Sequence, residues 1–233
     1  MIVLPRFPTV FLFLPLGLAA QSGFPFTGET LHYSISWQSG LNLGDATFTA
    51  QKTSSGWDFH VTADAPLPGF AINDRFHSTT NPELCSTQFD RELSHGSLKT
   101  TQKITFDLTK REAERTTTVP NDGGKSTLDI PACPRDAVAF AYFARKELGQ
   151  GRVPPAQQVF YGSGYSVHMD YTGAQNLRLG DKPPVVTDHL VVSVKGPKSD
   201  FNFEVFYARD AARTPLSIRI PSSMGTFSMD VVR

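Results

Sequence analysis

Apolar and polar residues alternate along most of this chain. In residues 29–38, Leu31, Tyr33, Ile35 and Trp37 fall on one face, and His32, Ser34, Ser36 and Gln38 on the other. A period of two predicts a half-buried strand. A turn at 40–44 follows, and Ala46, Phe48 and Ala50 continue the pattern. Trp57, Phe59, Val61 and Ala63 predict a third strand, ended by the breaker Pro66-Leu67-Pro68-Gly69. Further strands are expected over 73–80, 86–93 and 98–108. The Thr-rich, charged segment 112–119 suits an exposed edge strand. Asn121-Asp122-Gly123-Gly124 is a tight-turn signal between two hairpin strands. After residue 156, strands are expected over 157–161, 165–171, 187–194, 201–207, 215–220 and 226–232, separated by Gly-, Pro- and Asp-rich turns.

One segment breaks the alternation. Residues 134–149 read PRDAVAFAYFARKELG, with Asp136 as N-cap, Lys146 near the end and Gly149 past it. Val138, Ala139, Phe140, Ala141, Tyr142 and Phe143 leave almost no polar face in the middle turns. A helix apolar all round must be buried, and only the sheet can wrap it. The expected fold is mostly β: a strongly curved antiparallel sheet or open barrel around one apolar helix at about 136–148. Phe140 or Phe143 is expected against its concave face.

The first residues depart from both patterns. Arg6 precedes an apolar run from Phe7 to Leu18, with small residues at Ala19 and Ala20. This is the order of a secretory leader, expected over 1–20 and cut after Ala19, Ala20 or Ser22. The alternative, a membrane anchor, needs roughly 20 apolar residues; this run is about a dozen and contains Pro8 and Pro15. The expectation is a periplasmic or secreted chain with a single β-rich domain over 21–233 and no transmembrane span once the leader is removed. Without its leader the chain carries 21 Lys+Arg against 22 Asp+Glu. Such neutrality argues against nucleic acid as a partner held by bulk charge. The two cysteines, Cys85 and Cys133, are too far apart for a catalytic CxxC, and in an exported chain they are expected to form a disulfide.

Candidate chemistry is sparse. The six histidines, His32, His60, His77, His95, His168 and His189, show no HxH, HExxH or HxxxH spacing. The default expectation is therefore solvated or capping histidines, with no metal and no cofactor. Gly162-Ser163-Gly164 has its glycines adjacent to the serine rather than two residues away, so a hairpin turn explains it better than a nucleophile elbow. Asp45, Asp58 and Asp74 have no predictable partner. The chain has 18 Phe, 6 Tyr and 2 Trp. Most of these aromatics suit a plain core, but some could line an apolar cavity between sheet and helix, with Trp37, Phe48, Phe59, Phe140 and Phe143 as candidates. Arg145 either snorkels at the helix C-terminus, the default, or is buried and needs an acid or carbonyl partner.

The opening GETLHYSISWQSGLNLGDATFTA resembles the start of the bacterial "domain of unknown function" family numbered 3108, through Gly28, Glu29, Leu31, Tyr33, Gly44 and Ala46. Asp136, Tyr142 and Arg145 match its helical segment. Asp210, Arg213, Pro215 and Gly225-Thr226 match its closing hairpin. The sequence departs from many members in its cysteine pair, and in lacking a tryptophan where FEVFYARD stands. The resemblance implies an exported envelope protein without assigned activity, with a fold similar to the periplasmic lipoprotein carriers, in which a curved sheet cradles helices and an apolar cavity. It carries no catalytic residues. The function expected is a non-enzymatic exported protein that binds a lipid or another apolar ligand in the concavity of its sheet. The alternatives are a structural or adaptor protein of the envelope that binds another protein, and a hydrolase with a dispersed site.

Overall fold

A computed structural model of the chain describes residues 26–67, 70–119, 123–197, 199–222 and 225–232. The expected leader lies outside these residues, as do the turn positions 121 and 122 and the Pro68-Gly69 pair.

The first half of the chain is a meander of eight strands: β1 (Glu29–Trp37), β2 (Asn42–Lys52), β3 (Trp57–Leu67), β4 (Phe70–Thr80), β5 (Ser86–His95), β6 (Leu98–Asp107), β7 (Glu112–Thr118) and β8 (Gly123–Asp129). A short β9 (Arg135–Asp136) leads into the helix α1 (Ala137–Gly149). A second meander follows: β10 (Gln157–Tyr161), β11 (Ser163–Leu177), β12 (Val185–Lys195), β13 (Asp200–Ala208), β14 (Pro215–Ser222) and β15 (Gly225–Val231). Every neighbouring pair is antiparallel except β9 and β10. The first and last long strands sew the two meanders into one sheet, with Tyr33 opposite Val231 and Trp37 opposite Phe227. The strand order is β8-β7-β6-β5-β4-β3-β2-β1-β15-β14-β13-β12-β11-β10-β9, so the sheet stays open at β8 and β9.

The alternation therefore translates into a concave inner face, because side chains two apart in a strand share a side. Tyr33, Phe59, Phe89 and Ile104 point inward and are almost wholly buried. Gly44 is required where β2 crosses β3: a Cβ there would run into the Asp64 carbonyl and the Ala65 backbone. Two expectations are corrected. The edge strand is β8, not the 112–119 segment, because the chain folds back once more onto β7. The strand expected over 165–171 runs from Ser163 to Leu177, through a bulge at Gly173 (φ +122°) that polar residues beyond Tyr171 had disguised.

The helix lies inside the curve and touches both halves of the sheet. Val138 and Tyr142 join a core with Trp57, Phe59, Leu84 and Phe106. Phe140, Ala144 and Leu148 join a second core with Val167, Leu190 and Val205. That double contact is the physical reason for a helix without a polar face. Cys85 and Cys133 are bonded, with Cα atoms 4.8 Å apart, and tie the start of β5 to the segment before the helix. Closing a loop of sequence separation 48 stabilises by about 4 kcal/mol in the chain-entropy model.

Asp136 anchors the helix start. Its carboxylate is wholly buried. Oδ1 accepts from the amides of Val138 (2.9 Å) and Ala139 (3.0 Å). Oδ2 accepts from the hydroxyls of Ser78 and Ser86, both at 2.6 Å. Truncation would leave two helix amides and two buried hydroxyls without an acceptor. Asp136→Ala is expected to lower stability by about 3 kcal/mol, combining a lost cap with stranded hydroxyls. Urea unfolding measures this; a loss under about 1 kcal/mol would show that the cap does not secure the helix.

Candidate functional site: an apolar cavity between helix and sheet

Ala137, Phe140, Ala141 and Ala144 recur at i, i+3, i+4 and i+7, which places them on one stripe of the helix. All four line a half-open cavity of about 480 Å³. Across from them stand Leu31, Tyr33 and Phe48 from the first meander, and Val167, Met169, Val192 and Val205 from the second. The space exists because three of the four stripe residues are alanines. A single helix with short side chains does not fill so curved a sheet. Phe201 lines the cavity and is 44% exposed, which places it at the mouth. The volume lies in the range of about 300–1,000 Å³ typical of small-molecule sites.

Arg145 is the one Lys, Arg, Asp or Glu in the cavity wall among the described residues. It does not snorkel: its side chain is 3% exposed. Two guanidinium nitrogens donate to Glu29 Oε1 and Oε2, each at 2.7 Å, and Nε donates to the Ala212 carbonyl at 3.0 Å. The guanidinium also lies over the Phe26 ring, 3.9 Å from its centre. This corrects the default expectation. Strand β1 delivers an acid from 116 residues away, and a fork-to-fork pair compensates the buried charge. Three tyrosines surround it. Burial pushes the hydroxyls of Tyr33 and Tyr142 well above the usual range and that of Tyr207 up to about 12, while the Arg145 charge pulls each back only in part. Tyr33 donates to the Pro215 carbonyl at 2.8 Å.

Of the aromatics proposed from sequence, Phe48 and Phe140 stand in the cavity wall. The other three lie elsewhere. Phe59 stacks on Tyr142, with ring centres 4.2 Å apart. Phe143 lies beneath the Arg135 guanidinium at 3.6 Å. Trp37 packs edge-on against Phe227 at 4.5 Å. Alternation shows only which face of a strand Trp37 and Phe59 take, and Phe143 lies on α1 off the alanine stripe, so none of the three reaches the void. The alanine stripe was missed because alanines read as helix formers. The residues behind the family resemblance are largely structural: Glu29 and Arg145 pair, Asp136 caps, and Asp210 holds its own loop by accepting from the Thr214 amide and hydroxyl.

A hydrolase would need an accessible nucleophile and base. Ser78, Ser86 and Asp136 converge, but all three are sealed at 0% exposure and no histidine is hydrogen-bonded to any of them. Gly162, at φ +80°, reverses the chain between β10 and β11, as the hairpin reading expects. Several histidines sit beside carboxylates: His95 Nε2 lies 2.9 Å from Asp74, and His60 and His77 both approach Asp58. Among the described residues no helix is long and apolar enough to cross a membrane.

Comparison with known proteins bears on the family and the fold. A family model described as "Protein of unknown function (DUF3108)" matches residues 32–232. The crystal structure of a beta-barrel-like protein of the domain of unknown function DUF1849, from Brucella abortus, superposes with a TM-score of 0.65 at 6% sequence identity. That superposition covers 89% of this chain and 97% of the other. Identity this low shows a shared fold alone. No curated protein matches the sequence.

The buried tyrosines generate a pH dependence. In the unfolded chain tyrosine ionises near about pH 10. In the fold Tyr33, Tyr142, Tyr161 and Tyr207 are all held above that by burial. Their contribution is complete below about pH 10 and is lost as the pH rises through that value towards the folded-state range. The slope is about 1.4 kcal/mol per pH unit for each tyrosine. Tyrosinate absorbance at alkaline pH should rise in step with loss of the fold for four of the six tyrosines. Ionisation of these four near pH 10, with the fold intact, would contradict their burial.

Proposed function

The chain belongs to the DUF3108 family of proteins of unknown function, and from that premise we propose that it is a non-enzymatic, exported carrier or sensor of a lipid or other apolar ligand. Its place of action is the periplasm or the extracellular space. The observation that carries this reading is the cavity of about 480 Å³ between α1 and the sheet. A void of this size, walled mainly by Ala, Val, Leu, Met and Phe with the rings of five tyrosines, favours a ligand that buries hydrocarbon over one read chiefly by hydrogen bonds. Arg145, the charged group in the wall, already commits three of its five N–H donors to Glu29 and Ala212, and its charge is balanced by that carboxylate. That favours binding over catalysis. The adaptor alternative predicts a filled interior, and an unfilled one supports the ligand reading instead.

Filling the void tests this. Ala141→Phe adds a ring where the wall faces open space, so it should lower stability by less than the roughly 1–3 kcal/mol of overpacking a tight core. Mass spectrometry of solvent extracts from natively purified protein should then find an apolar molecule near one per chain in the parent and little in the variant. Extracts free of such a molecule in the parent, or equal in both proteins, would overturn the proposal.

A further inference from the structure

On β3, Phe59 and Val61 point inward, so Asp58 and His60 project from the convex face. His60 lies directly opposite His77 on β4, and His77 lies opposite Asp90 on β5. These side chains converge. His60 Nε2 is 2.7 Å from Asp58 Oδ1, and His77 Nε2 is 3.1 Å from Asp58 Oδ2. The two imidazole rings stack 4.3 Å apart and 1° from parallel. Donor atoms of Asp58, His60 and His77 all lie within 4.8 Å of one another.

We propose that Asp58, His60 and His77 form a site for a divalent transition cation of the zinc type. Two imidazole nitrogens and one carboxylate oxygen, with outer positions open to water, suit Zn²⁺ and its neighbours rather than Ca²⁺ or Mg²⁺, which prefer all-oxygen shells. Nε2 of each ring already faces the same Asp58 carboxylate, so an ion placed between them would bond to both imidazoles and to that carboxylate.

The scaffold is already placed. β3 and β4 lie inside the sheet, flanked by β2 and β5, so the Cα positions are fixed by ladder hydrogen bonds on both sides. The rings must tilt towards each other to bring both lone pairs to one ion. They have room, since the side chains of His60 and His77 are 54% and 33% exposed. Asp90 adds an orienting group. Its Oδ2 sits 3.6 Å from His77 Nδ1 and also accepts from the Gln88 amide. A carboxylate on that side can hold the Nδ1 proton of a metal-bound His77, whose Nε2 would then bond to the ion in place of its 3.1 Å contact with Asp58 Oδ2, the arrangement common behind metal-bound histidines.

The test is isothermal titration of untagged, chelator-treated protein with zinc chloride. The parent should take up one Zn²⁺ per chain. His60→Ala and His77→Ala should each weaken uptake at least tenfold, while His168→Ala, a histidine on β11, should leave it unchanged. Asp90→Asn, which removes no ligand, should weaken it by about 10- to 100-fold. Thermal melts in chelator establish that each variant folds, and zinc should raise the melting temperature of the parent but not of a variant lacking both histidines. No uptake by the parent, uptake that survives loss of both histidines, or equal affinity for Ca²⁺ would each overturn the proposal.

Discussion

One buried ion pair sets the terms for the rest of the molecule. Arg145 cannot sit inside the sheet without an acid, and Glu29 cannot supply one unless β1 begins where it does. The pair joins the first strand, the helix and the loop carrying Ala212, and Phe26 lies against its guanidinium. Removing one member of such a pair leaves a desolvated charge, at a penalty of about 3–5 kcal/mol. The clasp therefore determines more than stability. It fixes the rotation of the helix about its own axis, and with it the direction in which the alanine stripe faces.

From that rotation follows a division inside the fold. Towards the first meander the helix presents Val138 and Tyr142, which pack among large aromatics, with the Tyr142 ring also forming part of the cavity wall. Along the stripe of Phe140 and the alanines the space stays open, bounded mostly by the second meander and closed on one side by Leu31, Tyr33 and Phe48 of the first. Asp136 and the Cys85–Cys133 bond hold the other end of the helix to β4 and β5. Helix entry and helix exit are thus both pinned, and the cavity is a product of rigid parts rather than of loose packing. A pre-formed apolar void needs little reorganisation to take a ligand, which keeps the ordering penalty of binding low.

Much of this was legible in the sequence. Period-two alternation located most strands, and an all-apolar helix with an Asp cap could only be an interior helix. What stayed hidden depends on residues far apart in the chain. Nothing near Arg145 announces Glu29, so local reasoning favours a snorkelling cation. Ala137, Ala141 and Ala144 look like helix propensity until the sheet opposite them is seen to curve away. His60 and His77 have no motif spacing, because their proximity comes from strand register and not from a repeat within one segment. Strand β8 escaped as the true edge because a charged, Thr-rich β7 already looks like one.

The most direct measurement of whether the clasp holds the helix inside the sheet is amide hydrogen exchange across Ala137–Gly149 in the parent and in Arg145→Met. In the parent, helix amides should exchange only with global unfolding, at the rate of the core strands β3 and β12. In Arg145→Met the helix should open separately, its amides exchanging well before those of β3 and β12. Helix protection that stays level with the core strands in the variant would contradict the account, because the ion pair would then not be what keeps the helix in place.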